Sequence, residues 1–116
     1  MDRTLENYIL DSYNLLQEYE KRGRYFHSLK PEDNSPTVVH KKTNQLTFVI
    51  EGNGIAVLNG KTEYIGKGKC VIVNAGTLHQ FKATSDKLTL FHIHIPDEGR
   101  DNDRYIIEGD DYNRFD

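Results

Sequence analysis

The sequence predicts an all-β domain, a single closed barrel with one helix in front of it and a short tail behind. Three observations lead there. From Thr37 onward apolar and polar residues alternate in short runs, where the segment before Gly23 repeats at helical spacing. Turn residues separate those runs, and Asn59-Gly60 between Leu58 and Lys61 is the strongest hairpin signal, because both central residues of such a turn need positive φ. With 116 residues there is room for one domain and one modest core.

Thr4 to Arg22 sets Leu5, Tyr8, Ile9, Ser12, Leu15, Leu16 and Tyr19 at steps of three and four, which gathers them on one side of an α-helix. Lys21 and Arg22 fall in its last turn, and Gly23 offers a left-handed cap. The stripe must cover either the outer face of the barrel or a partner subunit. Arg24–Leu29 reads as a short strand, and Lys30 to Pro36, with two prolines, an asparagine and acidic residues, as a loop. Strands are expected near Val38–Lys41, Leu46–Glu51, Gly54–Leu58, Lys61–Ile65, Cys70–Val73, His79–Lys82 and Leu88–Ile95. Short strands divided by such turns indicate a sandwich or barrel. In the tail, Tyr105-Ile106-Ile107 stands out as an apolar island and suits a short packed edge strand; partial disorder of the tail is the other reading. The expected organisation is 1–29 for the helix and lead-in strand, 30–97 for the barrel and 98–116 for the tail.

Net charge is −3 and the basic residues are scattered among acidic ones, so no stripe suits a phosphate backbone and nucleic acid is not an expected partner. No apolar run is long enough to span a bilayer, and Met1-Asp2-Arg3-Thr4-Leu5-Glu6 lacks the basic start and apolar block of a signal peptide, which points to a cytoplasmic protein without membrane contact. The single Cys70 has no internal disulfide partner. Its setting in Cys70-Val71-Ile72-Val73 suggests a buried structural thiol.

Two stretches then carry a resemblance. His40, Gln45 and Gly52 fall at the second histidine, glutamate and closing glycine of the first signature of the cupin superfamily. Gly68, Gly76 and His79 fall at landmarks of its second signature. Glu32 and Val38 stand where the opening glycine and first histidine would be, Asn74 replaces a proline and Ala83 an asparagine. From about Thr37 to Pro96 the chain thus resembles a small single-domain cupin, with the short connection Asn53 to Lys67 between the signatures. The resemblance implies a jelly-roll, or double-stranded β-helix, barrel and a site in its interior. It further implies a single divalent transition metal (Fe, Zn, Ni or Mn), a metal-free version staying open, and a homodimer.

Strand periodicity puts Gln45, Thr47 and Val49 on one face, opposite Leu46, Phe48 and Ile50. If the resemblance holds, the first set looks into the barrel, where Gln45 serves as an uncharged oxygen ligand or as a hydrogen-bonded interior residue. His40 and His79 belong to separate signatures and are expected to converge on one cavity. A hairpin turning on Ser85-Asp86 would pair Ala83 with Leu88, Phe81 with Leu90 and His79 with His92, aiming His92 at the same cavity. A one-residue slip would bury Phe91, Ile93 and Ile95 instead. The candidate metal set is therefore His40, Gln45, His79 and His92, with His79 and His40 as catalytic residues and Thr47 and Phe81 as ligand-binding ones. His94 is placed behind the site or at an interface, and His27 carries no site signal of its own.

Two classes of function follow for a barrel that takes a small-molecule ligand. One is an enzyme acting on a small polar or carbohydrate-like metabolite, either a mononuclear metal oxygenase or an isomerase or epimerase in which His79 moves a proton. The other is a ligand-sensing or accessory module without turnover.

Overall fold

In a computed structural model of the chain, which describes residues 5–99 and 102–107 (helix side chains only from residue 12, and not residue 19), one helix leads into nine strands. Helix α1 spans Leu5–Lys21 and stops where Gly23 takes φ 75°, the left-handed conformation expected of that glycine. The strands are β1 (Arg24–Leu29), β2 (Thr37–Val39), β3 (Asn44–Glu51), β4 (Asn53–Leu58), β5 (Lys61–Gly66), β6 (Cys70–Val73), β7 (His79–Ala83), β8 (Leu88–Ile95) and β9 (Tyr105–Ile107). They form two sheets packed face to face, in the orders β1-β8-β3-β6 and β5-β4-β7-β2-β9. The architecture is the all-β jelly roll expected from the sequence. Asn59 and Gly60 have φ of 48° and 81°, so the β4–β5 hairpin turns as its dipeptide requires. The island Tyr105-Ile106-Ile107 is the packed edge strand, paired with β2 and burying Ile107.

The expected β7–β8 hairpin is not formed. β7 pairs with β4 and β2, while β8 pairs with β1 and β3, so His79 and His92 face each other from opposite sheets. The short connection turns a corner between the sheets, and the β3–β4 corner holds it there. The Asn53 carbonyl accepts from the Thr84 and Ser85 amides (3.0 and 3.2 Å), and the Asn53 amide donates to the Ser85 hydroxyl (2.9 Å). Gly52 permits the approach: a Cβ there would lie 1.9 Å from the Lys87 carbonyl oxygen. The inward set on β8 is nevertheless Leu88, Leu90, His92 and His94, because pairing with β1 and β3 fixes its pleat. Phe91, Ile93 and Ile95 face outward.

Inward positions on each long strand change character along its length. β3 reads Gln45, Thr47, Val49; β8 reads His94, His92, Leu90, Leu88; β1 reads Tyr25, His27, Leu29; β7 reads His79, Phe81, Ala83. The apolar ends meet with Ala56, Ile65, Val71 and Val73 in one core that closes one end of the sandwich. The polar ends meet at the other, and the site lies there. Burying the core side chains, each worth roughly 1.5–3 kcal/mol, supplies the stability that lets the polar end keep its histidines. Cys70 is exposed, not buried: β6 alternates, and Val71 and Val73 take its inward positions. No described helix is long and apolar enough to cross a membrane.

Candidate functional site

The polar end opens into a cavity of about 400 Å³ lined by β1, β2, β3, β7, β8, the loop before β2 and the segment before β9. All five histidines of the chain gather around it. His40 directly follows β2, His79 opens β7, His92 and His94 are alternate residues of β8, and His27 lies on β1. Ring centroids are 5.0 Å apart for His40 and His79, 4.9 Å for His40 and His94, and 5.6 Å for His27 and His92. Among the described residues, no Asp or Glu lines the cavity, and Arg104 is the one cation that does.

Two backbone links set the first pair of rings. The Gly76 amide donates to the His40 carbonyl (2.7 Å), joining the two turns that carry His40 and His79. His40 Nδ1 donates to the Asp103 carbonyl (2.6 Å), while the Asp103 carboxylate accepts the amides of Lys41, Lys42 and Thr43 at 3.0, 2.8 and 2.9 Å. Burial pushes the Asp103 carboxyl up, but those amides outweigh it and hold it below the usual carboxylate range.

Gln45 is the hub of the interior. Its Oε1 lies 3.1 Å from His40 Nε2 and 3.0 Å from His94 Nε2, and its Nε2 donates to Thr47 Oγ1 (2.9 Å) and to His92 Nδ1 (3.1 Å). His40 is thereby held between two oxygen acceptors, and a neutral imidazole can donate to only one of them. Either His40 is an imidazolium, or the Gln45 amide turns end for end, donates to the His40 and His94 rings, and accepts from Thr47 and His92. Amide orientation and histidine tautomers are thus coupled across the cluster.

The sequence-derived candidates separate accordingly. His40, Gln45, His79, His92 and Phe81 all border the cavity. Thr47 does not: it is wholly buried behind His92, its hydroxyl 2.7 Å from Nδ1, so it orients a ring and touches no ligand. His94, set aside from the sequence, is inside the cluster, 2.8 Å from the Tyr25 hydroxyl. His27 and Tyr25 were also overlooked, although alternation along Tyr25-His27-Leu29 was visible. Arg104 gave no signal, since only the fold brings the tail to the rim.

His79 Nδ1 donates to the Thr77 carbonyl (3.0 Å), which leaves the lone pair on Nε2. Burial pushes its pKa down to about 4; the Thr77 carbonyl opposes this, and the charges of His40, His94 and Arg104 add to it. Burial likewise holds His92 well below the ordinary imidazole range, with His27 and the other rings adding repulsion. Both of these rings are neutral at physiological pH.

The implied metal does not fit this arrangement. Only the oxygen of an amide can ligate, and in either orientation of the Gln45 amide that oxygen faces only part of the set, His40 and His94 or else His92, whose Nε2 points away to His27 at 3.4 Å. The four proposed ligands do not converge on one point. Among the described residues, no three of His, Cys, Asp or Glu are placed to hold an ion, and no carboxylate offsets a divalent charge.

Comparison with known proteins comes down on the same fold. The family described as Cupin domain matches residues 25–95. A cupin 2 domain-containing protein from Halorhodospira halophila superposes with a TM-score of 0.66 at 21% identity, over 79% of this chain and 62% of that one. The capsular polysaccharide assembling protein CapF from Staphylococcus aureus gives 0.62 at 19% identity, over 77% and 29% of the two chains. A salicylate 1,2-dioxygenase from Pseudoaminobacter salicylatoxidans, solved in complex with gentisate, gives 0.55 at 26% identity; the match covers 60% of this chain and only 18% of the dioxygenase. No curated protein matches the chain.

Proposed function

The chain belongs to the Cupin domain family, and from that premise we propose that it binds a small anionic metabolite, a carboxylate of hydroxy-acid or sugar-acid type, and moves a proton on it as an isomerase or epimerase does. The observation that carries this reading is the charge pattern of the lumen: four lining imidazoles, of which burial keeps His79 and His92 neutral, no lining carboxylate among the described residues, and the Arg104 guanidinium at the rim. Such a cavity repels cations and rewards an anion whose carboxylate can pair with a guanidinium. The dioxygenase relative was solved with gentisate, itself an aromatic carboxylate, which supports that ligand class. In this reading the partners are a small molecule and a second copy of the chain.

His79 acts as the base. Its Nε2 lone pair takes a proton from the carbon next to the substrate's carboxylate or carbonyl and returns it, on the same or the opposite face, so that no net oxidation occurs. An anion bound beside Arg104 raises the imidazole toward working pH, because the ligand's charge favours the protonated ring. Tyr25, held by His94, is the donor for the oxygen that gains charge. Phe81, His27 and His92 wall the cavity and exclude water.

A ligand-sensing module is the second reading, favoured by the mutual saturation of Gln45, His40, His92 and His94, which leaves His79 as the ring with an uncommitted nitrogen. Proton NMR in deuterated water separates the two. An enzyme washes deuterium into the α-position of a bound acid and His79→Ala stops it; a module binds the acid without exchange. Binding of neutral sugars in preference to carboxylates would end the anion reading.

A further inference from the structure

His79 opens β7, and the ladders to β4 and β2 fix its Cα, with Leu58 and Val38 as its partners. The ring is fixed separately, by the bond from Nδ1 to the Thr77 carbonyl (3.0 Å). Between those two holds lies one residue, Leu78. Both of its backbone groups are bonded to Asn59, an exposed residue of the β4–β5 turn that lies outside the cavity wall. The Asn59 amide donates to the Leu78 carbonyl (2.7 Å), and the Leu78 amide donates to Asn59 Oδ1 (2.9 Å). In an unbroken antiparallel ladder the Leu78 amide would go to the main-chain carbonyl of residue 59. Asn59 leaves the ladder at φ 48° to begin the turn, and its side-chain carbonyl takes that place.

We infer that Asn59 is a positioning residue for His79: by clamping the Leu78 peptide it keeps the Thr77 carbonyl on Nδ1 and so leaves the lone pair on Nε2, the nitrogen that acts in the cavity. The role rests on the reading of His79 as the base, and it names what holds that base in its working tautomer. Leu78 suits such control, because its side chain is buried against Val39 and Ile107. Val39 precedes His40, and Ile107 ends the strand that follows Arg104. One small apolar cluster thus anchors the chain beside three residues of the cavity wall. Asparagine meets two demands at residue 59. It tolerates positive φ, as glycine does, and it supplies a short carbonyl, as glycine cannot. The turn alone needs only the first property, which leaves the second to the site.

Asn59→Gly and Asn59→Asp separate the two properties, since glycine keeps the turn and loses the acceptor, whereas aspartate keeps both. Long-range proton–nitrogen NMR of the imidazole rings, on the full chain without ligand near neutral pH, reads the tautomer directly. The native chain and Asn59→Asp are expected to show His79 with its proton on Nδ1 alone. Asn59→Gly, with its β-sheet circular dichroism unchanged, is expected to show a mixture of both tautomers and a Leu78 amide that exchanges with solvent at least about tenfold faster. Asn59→Lys, which also lacks the acceptor, serves if Asn59→Gly fails to fold. A His79 ring still held with its proton on Nδ1 when the acceptor is gone, a Leu78 amide equally protected there, or an Asn59→Asp chain as mixed as Asn59→Gly overturns the inference. Deuterium exchange at the α-position is measured apart from this, so a chain with the expected tautomers and no exchange loses the proposed reaction and keeps the clamp.

Discussion

His40 donates from Nδ1 to the backbone carbonyl of Asp103 at 2.6 Å, so a ring at the end of β2 is aimed into the barrel by a residue of the tail. The contact joins the site to the segment that also carries Arg104. The tail is therefore a structural part of the cavity wall. Asp103→Ala leaves three amides around residue 42 without their acceptor, and at about 1 kcal/mol or more for each buried amide the loss is roughly 2–4 kcal/mol. Urea denaturation checks it; Asp103→Asn, which keeps one carbonyl oxygen, falls between.

Stability depends on pH through the buried rings. His79 has its folded pKa lowered to about 4 from 6.5, so the unfolded chain binds its proton first. The contribution is fully present above pH 6.5, is lost as pH falls toward 4, and for a shift of this size amounts to roughly 3 kcal/mol. His92 acts in the same direction. Asp103 adds a further loss at lower pH, since its depressed carboxyl stabilises the fold only while ionised. Urea midpoints measured between pH 7 and 4 should decline steadily, and His79→Gln should flatten the slope.

Gln45→Glu places a carboxylate beside His40 and His94. The lumen then acquires the charge a divalent ion needs, and the variant should bind Zn²⁺ or Mn²⁺ at about one equivalent where the native chain binds at least tenfold more weakly. The same substitution should weaken carboxylate binding by a similar factor. Calorimetric titration with metal and with acid measures both.

Gly52→Ala sets a Cβ 1.9 Å from the Lys87 carbonyl at a φ of 86°, so both corners must shift. A loss of about 2 kcal/mol or more is expected in thermal unfolding.

Most of the fold was legible because hydrophobic alternation is local. Every strand and the helix fall where the repeat pattern put them, within a residue or two, and Gln45 faces inward with Thr47 as alternation requires. The partner of β8 was not legible: a four-residue polar connection fits a hairpin and a corner equally well, and only contacts with Asn53, distant in sequence, decide between them. His92 faces the lumen nonetheless, through pairing with β1 and β3. Thr47 was misassigned because inward is not the same as lining a cavity. Cys70 was misassigned because a run of four apolar residues hides its own alternation. Arg104 was invisible, since the tail reaches the rim only after β9 pairs with β2.

Following the His79 ring by NMR through a pH titration, with and without a small carboxylate, tests the central claim most directly. The account predicts titration near pH 4 in the free protein and a clear upward shift when the acid binds, with the shift abolished in Arg104→Gln. A ring that titrates at the ordinary imidazole value and ignores carboxylates would contradict it.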